Sequence, residues 1–470
     1  MHLRKALGRG SALLGVVLLT VGLTACEPTV LSVTANPSLF PAFNTSIVDY
    51  VNRCDPATAT NVTVEAPSGT TVSVAGSAPQ SGRFTVPVSQ SVGRRFTIQV
   101  TSGGTTKTHH VRCLPRDFPS WSVEKPGRPQ AQFYAVRFIP EQYSAILDTN
   151  GVPVHWTRTA ESSPLFTPLP NKNLATVGPD GMVERRLDGS VVRTVNTVGG
   201  PVDIHDVLLL PNGNYVLATA QNQPCNLSSW GLTVLEMCIN HVFQELTPLG
   251  VPVWTWDTAT HIPVTETPAY WRQEELADRT GIAPTPDLYD PWHWNSVEYT
   301  GDGFIMSFRH LDAIYKVNQA SGAIQWKLGG TPRQGSLALV GDPLGGPAGQ
   351  HDARLLADGT VSLFDNGNGR NRAPRATGYQ IDLEDMTATL VEEVRDPIAP
   401  SAFCCGSTRV LPRGNWVTGW GGGNNITENR GDGTRVFRIT IPSLVYRGVP
   451  IPPSVFTPTQ LRAGMDAQYG

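Results

Sequence analysis

Apolar and polar residues alternate at period two along most of the chain, in short runs punctuated by glycine, proline, asparagine and aspartate. Between residues 30 and 113, "NVTVEA", "TVSVAG", "RFTVPV" and "RFTIQVTSGGTTKTHHVRC" each turn one face inward, which predicts a small β-sandwich over residues 26–115. From residue 130 the alternation becomes a repeat. One unit is a hairpin around a central turn: "HDVLLLPNGNYVLAT" (205–219), "HWNSVEYTGDGFIMSF" (293–308), "HDARLLADGTVSLF" (351–364), "GSTRVLPRGNWVTGW" (406–420) and, more weakly, "SPLFTPLPNKNLATVG" (163–178). The other is a strand, a turn and a strand ending in tryptophan, as in "AILDTNGVPVHW", "QELTPLGVPVWTW" and "YKVNQASGAIQW". Two such hairpins build a four-stranded blade, and about six fit between residues 130 and 446. The expectation is therefore all-β: an N-terminal β-sandwich followed by a six-bladed β-propeller over 116–446, with 447–470 as a C-terminal tail. Residues 257–292, rich in proline and acidic groups, break the register and predict a long excursion over one face.

Composition agrees: only 16% of residues are charged, while glycine (46) and proline (39) abound, a mix that suits many turns rather than helices. A net charge of −3 and the lack of any lysine or arginine cluster exclude nucleic acid as a partner. Arg4, Lys5 and Arg9 precede the apolar run "SALLGVVLLTVGL", which is too short to span a bilayer and ends in "LTAC". That ending resembles a bacterial lipobox. The resemblance implies a signal peptide over 1–25, lipidation at Cys26, and an exported cell-envelope lipoprotein on the extracytoplasmic face of the membrane. Each buried methylene contributes roughly 0.8 kcal/mol, so two or more acyl chains anchor stably. The sandwich runs resemble cadherin-like or immunoglobulin-like modules of exported bacterial proteins.

Export makes the other six cysteines expected disulfides. Cys54 with Cys113 would bracket the sandwich in a loop near 60 residues, worth about 4 kcal/mol. Cys225 with Cys238 would close a short excursion, which leaves adjacent Cys404 and Cys405 to a vicinal ring; a crossed pairing of Cys225 or Cys238 with Cys404 stays open.

Superposing the hairpins puts His205, His293 and His351 at one position, just before the first strand of three blades. First strands face a propeller's axis, so these imidazoles converge, and Arg309 in "SFRH" can turn toward the same place. Histidines near blade starts also serve as structural pegs. Blades lacking the histidine tell against that, and a buried guanidinium costs several kcal/mol unless an anion meets it. Three histidines could hold zinc, but the arginine beside them favours an anionic group. No metal and no cofactor is expected. "DNGNGR" (365–370) reads as a turn, since glycines stand where a calcium loop needs ligands.

"PVDIHDVLLLPNGNYVLAT", "HWNSVEY", "IMSFRHLDAIYKVNQASGAIQWKLGG" and "GQHDARLLADGTVSLFDNGNGR" resemble the bacterial arylsulfate sulfotransferases that use no nucleotide sulfate donor. The likeness runs in order over about 130–445 and implies a six-bladed propeller after a small β domain. It also implies an aryl sulfate donor, a phenolic acceptor and a ping-pong cycle. His351 matches the nucleophile that becomes sulfated. His205, His293 and Arg309 match the groups around the sulfate and the bridging oxygen. Asn295 matches a polar donor contact, and Ser407 falls where another blade offers a hydroxyl. The chemistry is coherent, since a monoanionic sulfate ester can be balanced by a guanidinium and imidazoles without magnesium. The alternative is a non-catalytic propeller lipoprotein that binds a glycan or a protein partner.

Overall fold

The computed structural model describes residues 30–158, 164–178, 180–277 and 288–470; the expected signal peptide and Cys26 lie outside them. Residues 32–113 form two stacked sheets. One is built from Ser32–Asn36, Thr60–Ala66 and Gly82–Val88, the other from Asp49–Asn52, Thr105–Cys113, Arg95–Ser102 and Thr70–Val74. Alternation produces them: along Thr60–Ala66 every second side chain is buried, and Val62, Val64, Val72, Ile98 and Val111 fill the space between the sheets. Cys54 and Cys113 are joined, as are Cys225 with Cys238 and Cys404 with Cys405.

Among the described residues, the rest of the strands fall into six sheets of four or five strands each. Their inner strands touch in sequence: Leu208–Leu209 meets Trp294–Tyr299, which meets His351–Leu355, which meets Ser407–Val410, which meets Gly448–Ile451. Gly448–Ile451 pairs with Phe133–Phe138, which touches Leu165–Pro168, and the core around Leu165, Val207 and Tyr215 carries the ring on to the start. The result is a closed, propeller-like ring. Buried glutamates tie neighbouring sheets: Glu184 accepts from Asn173 of its own sheet and Tyr215 of the next, and Glu428 accepts from Asn415 and, at 2.7 Å, from Tyr134.

Both ends of the ring segment lock it. Ser122–Glu124 adds to the last sheet beside Arg435–Thr440, while Gly448–Ile451 supplies the inner strand of the first. Residues 447–470 are thus not a trailing tail. The proline-flanked "GVPI" is too short to show period-two alternation, and helix Pro458–Tyr469, opened by a Thr457/Gln460 capping box, packs against Pro153–Arg158. Asp466 of that helix pairs with Arg95 and Arg112 of the sandwich at 2.8 Å each. The excursion after Asp257 holds the short helices Thr258–His261 and Ala269–Ala277, the latter bringing Trp271 onto the ring.

Candidate active site

The ring brings His205, His293, Arg309 and His351 together. The rings of His205 and His293 meet edge to face with centroids 5.0 Å apart. His293 stacks on His310 at 4.6 Å, and His310 on Trp271 at 4.4 Å. Arg309 follows directly, its amide donating to the His293 carbonyl (2.8 Å) and its guanidinium lying 4.4 Å over Trp271. The charges of Arg309, His293 and His205 all bear on His351.

His351 opens the strand His351–Leu355 and is buried. Its Nδ1 faces two acceptors, Asn366 Oδ1 at 2.9 Å and the Gly349 carbonyl at 3.0 Å, so Nδ1 carries the hydrogen. Nε2 then holds the lone pair, and the Cys405 amide donates to it at 3.2 Å. Burial and the Arg309 guanidinium hold this imidazole well below its usual range, so it is neutral at pH 7.

His205 and His293 are set differently. Their Nδ1 atoms lie 2.5 Å from Asp203 and 2.7 Å from Asp290, and each carboxylate also accepts the backbone N–H of the histidine it holds. Both side chains stay partly open, which leaves Nε2 to face a ligand. Buried His241 lies between the two carboxylates, 3.5 Å from Asp203 and 3.3 Å from Asp290. Although burial disfavours its charge, the two aspartates raise the His241 pKa. Burial lowers the pKa of His293, against the pull of Asp290.

The residue after His205 and after His351 is an aspartate, and these two build the floor. Arg447 pairs with Asp206 at 2.8 Å, and Arg354 bridges Asp206 (3.1 Å) and Asp352 (2.8 Å). Burial would raise Asp206, yet Arg447 and Arg354 bring it down to about 2. The aspartates of the two "HD" pairs are thus paired with arginines, while the histidines beside them turn to other partners.

Asn295 is buried, donates to the Gln350 carbonyl (2.7 Å), and keeps Oδ1 without a partner among the described residues. Arg309 Nε is likewise unpartnered, while its two Nη atoms bond the Phe403 carbonyl and His310. Ser407 is elsewhere engaged: its Oγ accepts from the Gly448 amide at 3.0 Å, across the ring closure. Asp290, His293 and His310 have ligand atoms close enough to surround a metal ion. Both oxygens of Asp290 already accept from histidine nitrogens, and Arg309 donates to His310 Nε2 at 2.9 Å. A guanidinium on a ring nitrogen repels a cation, so the cluster reads as a proton-holding network.

The sequence reading missed Asp203, Asp290, His241, His310 and Asn366. Two carried a local signal, since Asp203 and Asp290 stand two and three residues before a loop histidine. His241 carried none, lying mid-strand in "CINHVF".

Solved structures similar to this chain include a protein of unknown function from Bacteroides caccae, at 10% identity, covering 68% of this chain and 99% of that one, with a TM-score of 0.44. A streptogramin B lyase shows 9% identity, 68% and 98% coverage and a TM-score of 0.37. The β-propeller domain of Cps50 (Swd1) from Myceliophteria thermophila shows 12% identity, 70% and 90% coverage and a TM-score of 0.36. No curated protein matches the chain. The family model described as Arylsulfotransferase (ASST) matches residues 122–436, which takes in strands of all six sheets and every histidine of the pocket and stops short of the closing strand Gly448–Ile451. The chain belongs to the arylsulfotransferase family, enzymes that move a sulfuryl group between aryl oxygens without a nucleotide sulfate donor.

Proposed function

We propose that this protein transfers a sulfuryl group from an aryl sulfate ester to a phenol in two steps, through a sulfated His351. The observation that carries the reading is the single lone pair at His351 Nε2, on a neutral imidazole with cationic groups around it and no carboxylate against it. In the first step Nε2 attacks sulfur and the bond from sulfur to the aryl oxygen breaks. The departing phenolate takes a proton from the Nε2 of His293 or His205 in its imidazolium form, which the carboxylate on Nδ1 favours and which burial opposes at His293. Arg309 and the imidazoles balance the charge on the sulfuryl oxygens. In the second step the same imidazole, now neutral, takes the proton of an acceptor phenol; that oxygen attacks sulfur and His351 leaves, neutral again. Asn295, with its unpartnered oxygen, orients the donor.

The same reading places the enzyme outside the cytoplasm, held to the membrane by acyl chains on Cys26. Disulfides Cys54–Cys113 and Cys225–Cys238 support an oxidising compartment.

The test uses p-nitrophenyl sulfate with and without a phenol. The expected result is acceptor-dependent release of nitrophenolate, and donor-treated, acid-free digests that carry one added SO₃ on the peptide containing His351. His351→Ala should lose both. Release in the absence of any His351 adduct would replace the two-step cycle with direct transfer, and absence of release with a broad acceptor panel would sink the enzymatic reading of this chain.

A further inference from the structure

His351, Asn366 and Cys405 close a ring of hydrogen bonds. His351 Nδ1 donates to Asn366 Oδ1 (2.9 Å), Asn366 Nδ2 donates to the Cys405 carbonyl (3.0 Å), and the Cys405 amide donates to His351 Nε2 (3.2 Å). The next carbonyls of the same turn are also spoken for: Phe403 accepts from Arg309 Nη2 at 2.8 Å, and Ala402 accepts from Asn368 at 3.3 Å. The turn 402–406 thus grips both the nucleophile and the guanidinium with main-chain atoms. Cys405 has a φ of +62°, a left-handed conformation that is disfavoured for a residue with a β-carbon. Its covalent link to Cys404 and the close seat of Gly421 hold it there; a β-carbon on Gly421 would lie 2.3 Å from the Cys405 carbonyl carbon.

The amide that now touches Nε2 cannot stay on that lone pair once Nε2 bonds to sulfur. Sulfur would then take the amide's place on the lone pair, and the displaced N–H would lie beside the sulfuryl oxygens, free to donate to one of them. We propose that the Cys405 backbone N–H is a donor to the sulfuryl group carried on His351, presented by the Cys404–Cys405 bridge and by Asn366, which at the same time fixes the tautomer of the nucleophile. The inference rests on the two-step reading above. In the resting enzyme the amide caps the Nε2 lone pair; it must release that lone pair before Nε2 can attack, and the freed N–H then meets the developing oxyanion charge beside it. Asn366 and the bridge are positioning elements, and the N–H is the group that touches the transferred atoms.

The experiment measures the burst of nitrophenolate, kcat/KM against pH, and the fraction of sulfated His351 in the full chain. The groups that face His351 are Arg309, His293, His205, Asn366, the Gly349 carbonyl and the Cys405 amide. Asn366→Asp puts an anion on Nδ1, so the acid limb of kcat/KM should move up by about 1 pH unit or more. Asn366→Leu should lower the burst rate by ~10²-fold with little change in KM. Cys404→Ser/Cys405→Ser, which keeps the amide but opens the bridge, should slow the burst by about 10-fold, and Cys405→Gly, which restores freedom at positive φ, should slow it less. A wild-type burst with an unmoved acid limb in Asn366→Asp, or with unaltered rates in the bridge variants, overturns this inference alone. Absence of any burst or adduct in the wild type overturns the two-step reading and this inference with it.

Discussion

His351 and His293 occupy the same place in two repeats, yet their Nδ1 atoms see opposite partners. Behind His351 stand an amide oxygen and a backbone carbonyl; behind His293 stands a buried carboxylate. A neutral acceptor fixes the tautomer and stabilises the imidazolium only a little, too little here to offset burial and Arg309, whereas a carboxylate stabilises it more. The repeat therefore sets where an imidazole sits, and the residue behind it sets what the imidazole can do. In the proposed cycle His351 is the nucleophile and His205 and His293 are the proton carriers. His241 extends the contrast, because it links the two carboxylates behind His205 and His293.

The largest effect expected from this contrast is in Asp290→Asn. The substitution keeps a hydrogen-bond partner for His293 but removes its charge, which makes the two histidine settings alike. For donors whose phenol is a poor leaving group, kcat/KM should fall by ~10²–10⁴-fold, the contribution of a positioned general acid. With p-nitrophenyl sulfate, whose leaving group needs little protonation, the fall should be smaller. A plot of log kcat/KM against the leaving-group pKa should thus steepen relative to wild type. Parallel lines would show that Asp290 supports the fold and leaves the proton undirected. Asp203→Asn, measured alongside, decides which of His205 and His293 serves the donor step.

Much of this arrangement can be read from the chain, and its limits have physical causes. The strand–turn–strand repeat and the axis-facing histidines follow from period-two alternation and from the placement of His205, His293 and His351 before first strands. The ring closure is less legible. Gly448–Ile451 pairs with a strand more than 300 residues earlier, and four residues around a proline carry too little pattern to announce a partner. Hydrogen-bond partners reached across the fold are invisible for the same reason. Asn366 sits in "DNGNGR", whose glycines mark a turn, and nothing local says that its side chain turns back fifteen residues to His351. His241 looks like any half-polar position of a strand until Asp203 and Asp290 close on it from two loops. Ser407 shows the converse. It matches a substrate-side hydroxyl by register, but the neighbouring closure strand needs an acceptor for the Gly448 amide and takes it.

A third setting of the same side chain provides a control. His155 is fully buried with Nε2 2.8 Å from the Leu187 carbonyl, and no carboxylate faces it. Burial, only partly offset by that carbonyl, lowers its pKa to about 4 against 6.5 for the free side chain. A base depressed in the folded state stabilises the protein fully above its unfolded value, and that stability is lost as pH falls from about 6.5 toward 4. The ceiling on its share is about 3 kcal/mol. His155→Gln, which can still donate to Leu187, should flatten the acid side of the stability curve in urea melts between pH 6.5 and 4 while leaving turnover at pH 7 intact. An unchanged slope would mean that His155 gains solvent or a partner on protonation, and that burial alone does not silence a histidine in this ring.

The smallest expected effect concerns the residue that shares His351's position in the next sheet. His351 begins the strand His351–Leu355, and Ser407 begins Ser407–Val410, so both stand at the head of an inner strand. One head carries the proposed chemistry; the other accepts the amide of the closing strand at 3.0 Å. Ser407→Ala leaves that buried N–H without an acceptor, at a cost of about 1–3 kcal/mol, which lowers the denaturation midpoint with an unchanged denaturant slope. KM for aryl sulfate and kcat should stay within about 2-fold of wild type, since the hydroxyl is turned toward the closure and away from the donor. A raised KM with unaltered stability would reverse the assignment and return Ser407 to the pocket. The two outcomes are exclusive because the Ser407 hydroxyl accepts from the Gly448 amide and gives its one hydrogen to the Gly448 carbonyl at 3.4 Å, which leaves none for an ester oxygen.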